Sequence, residues 1–341
     1  MHIPEPKQNK DGTWRIQLRI KGQSHVVTAN TAKECKRLAA IAKAEAQAAT
    51  HIKQCDLTLS QAIDNYISAR KQTKSPATIR GYRIIQKHRF QSQMGRKLSA
   101  FRPTEWRDII SNELMSASYK TVKNAWGLVK SVLESNGVPV DAAVRVQKPK
   151  TKKQYVWLEP EEIKKFVPAA AESPLCIPIL LALMGMRISE IDALRWDDIP
   201  RGAEFIHTSG ARVLDENNEW VEKRDQKNES SDRNVPLVIP ELRAAVAAQW
   251  QAKGKLLTVS QATLRSAVER VCQSAGVKRV TVHQLRHSFA SLSAHLRIPK
   301  EISMEIGGWS NDKIMSEIYT HVARSDIERY KNELWNFYNE K

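Results

Sequence analysis

Trp14, Ile16, Leu18 and Ile20 alternate with Arg15, Gln17 and Arg19, the two-residue period of a strand with one buried face. Lys21-Gly22-Gln23 reads as a turn and His25-Val26-Val27-Thr28 as the returning strand. Thr31 followed by Glu34 has the form of a capping box, which predicts a helix to about Ala49. So small a sheet buries a core only with that helix across one face, which leaves Arg15 and Arg19 on the other. That outer face is either a solvated edge or a surface laid into a DNA groove.

From residue 57 to 137 the period lengthens to that of helices. Thr58 starts one helix, with Ala62, Ile63, Tyr66 and Ile67 on its apolar side. Ser75-Pro76 starts a second, which carries Arg80, Arg83, Lys87 and Arg89. Pro103-Thr104 opens a third with Trp106, Ile109 and Ile110, and Ser118 a fourth with Val122, Trp126, Val129 and Val132, ending at Asn136-Gly137. The product is a helical bundle with a basic face, with its large aromatics read as core. Residues 138–154 read as an extended linker closed by Lys148, Lys150, Lys152 and Lys153, suited to lie along a phosphate backbone.

The remainder, 155–341, reads as a mixed unit. Pro160 starts a helix, Pro174 to Gly185 is an apolar one, and a short helix runs from Ser189 to Leu194. Short strands are expected at 205–208 and 234–237 with a polar insertion between them, then helices near 240–252, 260–275, 283–296 and 324–338. The fold class is therefore a multidomain chain, mainly α with small β-sheets, divided as 1–54, 57–137, a linker at 138–154, and 155–341.

Charge sharpens this division. The net formal charge is +17. Residues 1–150 hold 27 Lys+Arg against 11 Asp+Glu, whereas 151–341 hold 27 against 26. The first part is a basic surface suited to a polyanion, most simply nucleic acid. In the second part, cations that matter must act by position. Cys35, Cys55, Cys176 and Cys272 form no close pair, so neither a metal site nor a disulfide framework is expected. No apolar run approaches the ~20 residues of a membrane span, and Met1–Lys7 lacks a signal-peptide core, so a cytoplasmic protein is expected.

Four places could carry chemistry. In Gly185-Met186-Arg187-Ile188-Ser189-Glu190 an arginine sits at an elbow between two helices, where a buried guanidinium needs an anion: Glu190 or a substrate phosphate. Lys227 lies in a loop before a strand, able to swing into a cleft. His283 and Arg286 share one helical face, with His287 turned towards packing. Gly307-Gly308-Trp309 follows, and Tyr319 lies ten residues beyond Trp309. A tyrosine is a poor nucleophile unless its proton is removed or its phenolate stabilised, which a cationic cluster would do.

Together these segments resemble the tyrosine recombinases, the integrases of phages and other mobile elements. The resemblance rests on Gly185 to Glu190 with Ala193-Leu194-Arg195-Trp196, on Lys227 to Leu237 with Ser231 and Arg233, on His283-x-Leu285-Arg286-His287, and on Gly308-Trp309-Ser310 with Tyr319-Thr320-His321. Trp309 stands where histidine is commoner in the family, and Asn228 where threonine is usual. The resemblance implies an N-terminal arm-type DNA-binding domain (1–54), a core-binding, SAM-like domain (57–137) and a catalytic domain with a C-terminal tail helix (155–341). It implies an enzyme that integrates or excises a mobile element through a 3′-phosphotyrosine, without metal or cofactor.

In that scheme Tyr319 is the nucleophile, Arg187 and Arg286 clamp the phosphate, and Lys227 protonates the leaving 5′-oxygen. His283 aids proton transfer, Trp309 donates to the phosphate, and Glu190 orients Arg187 or His283. Leu334, Trp335 and Phe337 would anchor the tail on a neighbouring protomer. DNA-contacting cations would be Arg15, Arg19, Arg80, Arg83, Lys87, Lys150, Lys152 and Lys153. Implied partners are double-stranded attachment-site DNA, a homotetramer on that DNA, a host DNA-bending protein and an excisionase. A type IB topoisomerase and a non-catalytic DNA-binding regulator are the alternatives.

Overall fold

The computed structural model describes residues 3–20, 23–52, 57–149, 156–208, 210–223 and 232–325, with 331, 335, 337 and 338. The chain divides into two compact units, Met1–Lys152 with Leu214–Glu219, and Lys153–Val213 with Trp220–Lys341.

The first unit begins with an antiparallel sheet of β1 (Lys7–Gln8), β2 (Trp14–Ile20) and β3 (Gln23–Ala29), in that order. The strand expected from the two-residue period is β2, and its register sets Ile16 opposite Val27. The edge strand β1 carries no apolar alternation, and the sequence reading missed it. Helix α1 (Ala32–Ile52) packs on the sheet, burying Ile16 and Leu18 against Cys35 and Ala39. Thr31 Oγ1 accepts from the Glu34 amide at 3.2 Å, half of the expected box. Arg15 is exposed on the opposite face.

The bundle that follows comprises α2 (Leu59–Ser68), α3 (Pro76–His88), α4 (Gln91–Met94), α5 (Trp106–Ser116) and α6 (Tyr119–Ser135). The side chains of Thr58, Ser75 and Ser118 cap α2, α3 and α6 as their positions predict. Trp106 is fully buried, with Phe101 and Trp126 ring centroids 5.0 and 5.1 Å away, so the aromatics form core. The short α4 lies in a stretch too brief for a period to show. Val138 and Val144 join this core, and Asp141 accepts from Arg37 at 3.1 and 3.2 Å. The first part of the expected linker is thus packed rather than solvated.

The second unit contains α7 (Pro160–Ala171), α8 (Cys176–Leu183), α9 (Ile188–Ala193), β4 (Phe205–Thr208), β5 (Ala211–Leu214), β6 (Trp220–Lys223), β7 (Arg233–Pro236), α10 (Pro240–Gln249), α11 (Gln261–Ser274), α12 (Val282–His295), α13 (Lys300–Gly307) and α14 (Asp312–Ser325). Every residue of α8 is buried, and α7, α10 and α12 pack around it. Strands β4 and β7 pair antiparallel, with Ile206 opposite Val235. The polar insertion between them forms a second two-stranded sheet, β5 with β6. The helix expected at 324–338 is preceded by one that was not expected. That one is α14, which follows α13, and most of 324–338 lies outside the described residues.

Cys35, Cys176 and Cys272 are buried free thiols, and Cys55 lies outside the described residues. Among the described residues no helix is long and apolar enough to cross a membrane.

Candidate active site

The elbow after α8 works through Gly185, whose φ of +92° suits glycine. A Cβ there would lie 3.1 Å from the Phe289 ring and 3.2 Å from Gly307 Cα. The turn delivers Arg187 to the N-terminal end of α9, where it is one-third exposed. Its Nη1 donates to Glu190 Oε1 at 2.5 Å, its amide to Glu190 Oε2 at 2.9 Å, and its Nη2 to the Gly308 carbonyl.

Glu190 is itself buried and holds a second guanidinium. Arg233 Nη1 and Nη2 reach its two oxygens at 3.2 and 2.8 Å, and Arg233 Nε donates to Ile306 O at 2.8 Å. Burial alone would raise the Glu190 pKa. The hydrogen bond and charge of Arg233, then the charge of Arg187, hold it below the usual carboxylate range.

Arg286 comes from α12 and is 1% exposed. It donates to the carbonyls of Gly185 and Gly307, and to Gly308 O at 3.2 Å. Its guanidinium lies 3.8 Å from the Trp309 ring centroid. These partners are neutral, so burial first and Arg187 second push its pKa down to about 8. A phosphate arriving here would supply the counter-charge that the carbonyls lack.

Trp309 fits because position 307 is glycine: a Cβ there would stand 1.8 Å from the indole. The Phe289 ring lies parallel to it at 6.3 Å. The end of α13 is therefore a docking strip. The carbonyls of residues 306, 307 and 308 accept from Arg233, Arg286 and Arg187 in turn, with Arg286 also reaching 308. The negative end of a helix favours cations there.

His283 keeps an exposed face, while partial enclosure of its ring, then Arg286 and Arg187, lower its pKa. It is neutral near pH 7 and able to accept a proton. His287 is buried with its ring edge-on to that of His283, 4.7 Å between centroids, and burial takes its pKa to about 4.

Tyr319 sits on α14 with its hydroxyl engaged elsewhere. Oη donates to Ile298 O at 2.9 Å and shares a 2.7 Å hydrogen bond with Ser303 Oγ. Burial raises its pKa, against the opposing effect of Ser303. The structure thus brings Arg187, Glu190, Arg286 and Trp309 together, with His283 beside them, and seats the tyrosine hydroxyl on the first half of α13.

Lys227, Lys150, Lys152, Lys153, Leu334 and the Arg19 side chain lie outside the described residues. Trp335 and Phe337 are exposed. Lys87 is exposed on α3. Within the first unit Arg83 bonds Asp64 and, at 3.2 Å, Glu216, and Arg80 reaches Asn218 at 2.9 Å. The sequence reading gave no role to Arg233 or Ser303. For Arg233 a signal existed: with Arg233 and Val235 inward on β7, the alternation puts a charge on a buried face.

The chain matches the model of the phage integrase family over residues 156–326, half of its length, and it belongs to that family. It is 25% identical over 213 residues to the integrase of Salmonella phage P22, covering 56% of this chain and 50% of that protein. It is 29% identical over 205 residues to tyrosine recombinase XerA of Thermococcus kodakarensis, covering 55% of this chain and 66% of that one. The chain thus spans about half the length of the P22 relative. Among solved structures, the Tn1549 transposon integrase bound to transposon right end DNA superposes with a TM-score of 0.64 at 18% identity, covering 80% of this chain and 99% of that one. A lambda integrase dimer bound to a COC′ core site gives 0.59 at 16% identity, covering 93% and 94%. These likenesses establish the fold: mostly helical, multidomain, with small sheets.

Proposed function

We propose that this chain is a site-specific DNA recombinase that cuts and rejoins strands through a 3′-phosphotyrosine. The observation that carries this is Arg286: a buried guanidinium beside Arg187, hydrogen-bonded among the described residues to carbonyls alone, with Tyr319 one helix away on α14. Tyr319 Oη attacks the scissile phosphorus, the 5′-oxygen leaves, and the covalent bond to the tyrosine conserves the energy for rejoining. Arg187 and Arg286 neutralise the non-bridging oxygens, whose charge grows in the transition state. Neutral His283 takes the phenolic proton, Lys227 gives one to the 5′-oxygen, and Trp309 packs against Arg286 and offers its indole N–H to the phosphate. Before attack, the hydroxyl must leave Ile298 and Ser303.

The substrate is double-stranded attachment-site DNA of a mobile element in a bacterial cytoplasm, and the working form is a homotetramer. A lambda integrase tetramer bound to a Holliday junction shares this fold, with a TM-score of 0.58, and supports that assembly. A host DNA-bending protein and an excisionase are the accessory partners the family resemblance implies. Arg15 and Lys87, both exposed, are the described cations offered to DNA.

The test is a suicide-substrate cleavage assay on the DNA flanking the gene. Wild type should form an SDS-stable adduct, and Tyr319→Phe should form none while still binding. An adduct with Tyr319→Phe would assign the nucleophile elsewhere. Supercoil relaxation without strand exchange would mark a topoisomerase, and binding without any wild-type adduct a regulator.

A further inference from the structure

Three arginines, not two, converge on the end of α13, and the third faces away from the role of phosphate ligand. Arg233 is fully enclosed: its side chain is 1% exposed and that of its partner Glu190 is 2% exposed. All three of its bonding nitrogens are committed, two to Glu190 and one to Ile306 O. A guanidinium so placed has its charge already paired with the buried Glu190 carboxylate, whereas the equally enclosed Arg286 is bonded to neutral carbonyls and, among the described residues, to no anion. Arg233 does hold both things that aim Arg187: the Glu190 carboxylate, to which Arg187 donates twice, and the α13 terminus, whose Gly308 carbonyl Arg187 also binds. The same terminus carries the Gly307 and Gly308 carbonyls that seat Arg286.

We propose that Arg233 is a positioning residue for strand cleavage, fixing Glu190 and the end of α13 so that Arg187 and Arg286 present their guanidinium groups to the phosphate. This rests on the recombinase reading above. The planar fork matters because one rigid group spans two carboxylate oxygens and a carbonyl, which an ammonium cannot do. Charge matters as well. With Arg233 gone, Arg187 is the bonded cation left to Glu190 among the described residues, and this one-third-exposed arginine, meant for phosphate, becomes the counter-ion of a buried carboxylate.

The consequence reaches the pH profile. Glu190 faces Arg187 from the start of α9, Arg233 from β7 and the charge of Arg286 from α12. A small cavity beside it is also lined by Asp198, His207, Glu222 and Lys223. Arg233 is the strongest of the influences that keep it ionised. Removing Arg233 raises the Glu190 pKa, so its ionised form is lost at a higher pH as the solution is acidified. His283 contributes its own acid limb in both proteins, and the displacement between them is the readout.

The experiment measures single-turnover cleavage of the suicide substrate, DNA affinity and thermal unfolding for wild type, Arg233→Met, Arg233→Lys and the double variant Glu190→Gln/Arg233→Met. Arg233→Met should cleave about 10–100-fold more slowly, the cost typical of losing an outer group that orients a site, with DNA affinity nearly unchanged. Its acid limb should move to higher pH. Arg233→Lys should recover part of the rate and of the shift. The double variant, which leaves no lone buried anion, should fold and stay slow without the displaced limb. Wild-type cleavage rate in Arg233→Met, or an unmoved acid limb, overturns the proposal. So does a slow rate that the double variant restores in step with its unfolding temperature. A wild type that forms no adduct overturns the recombinase reading itself, and this proposal with it.

Discussion

The two ends of α13 treat their guests differently. At its C-terminal end, Arg187, Arg233 and Arg286 are locked by charge-assisted bonds to carbonyls and a buried carboxylate. Towards its N-terminal end, Tyr319 is held by two neutral bonds, to Ser303 and to Ile298 just before the helix. Bonds to charged groups are worth roughly 1.5–3 kcal/mol and neutral ones about 1. On the proposed reading, the phosphate cradle is thus built in advance and costly to move, while the nucleophile is parked in a seat it can leave. A strand-cutting enzyme with this division keeps its grip ready and withholds its attack.

That contrast can be broken most severely at the cradle. Arg286→Lys keeps a charge, but one ammonium cannot satisfy three carbonyls and a phosphate. Cleavage should fall by about 10²–10³, the cost of a lost transition-state donor, with DNA binding largely retained in a filter or gel assay. Gly307→Ala should come next. Its Cβ meets the Trp309 ring at 1.8 Å, so the ring or the helix end must shift. Unfolding should become easier by about 1–3 kcal/mol, read by denaturant titration, with slower cleavage alongside. The smallest effect belongs to the seat. Ser303→Ala removes one neutral bond from Tyr319, so cleavage in single-turnover assays should quicken by about 2–10-fold. A slower Ser303→Ala would mean that the seat aids the attack instead of delaying it.

Much of this architecture was legible beforehand, for reasons that differ between elements. The caps at Thr58, Ser75 and Ser118 are local chemistry, and each caps the helix that follows. Arg187 with Glu190, and His283 with Arg286, were readable because each pair is three residues apart. The hairpin of β5 and β6 was not, since its strands are short and lie in a polar stretch, although Asp215 to Asn218 has turn composition. Nor was α14, although Ile314, Met315, Ile318 and Val322 have helical spacing: its polar first turn follows a polar loop, whose cap signal is less plain than those in the bundle. Arg233 escaped because its partner lies 43 residues away. Only tertiary structure decides whether an arginine beside a proposed DNA site meets a carboxylate or a phosphate.

The acceptors at the end of α13 are main-chain carbonyls, and this shapes how the site responds to change. Residues 306, 307 and 308 contribute no side-chain atom to the bonds they accept. Replacing their side chains one by one therefore reports shape, not bonding, and an alanine scan would pass over the strip's electrostatic part. Swapping the peptide after 306, 307 or 308 for an ester, which weakens the carbonyl as an acceptor, would probe it directly. In heredity the strip is written in one isoleucine and two glycines, residues that say little of charge, and in arginines placed far from it in the chain.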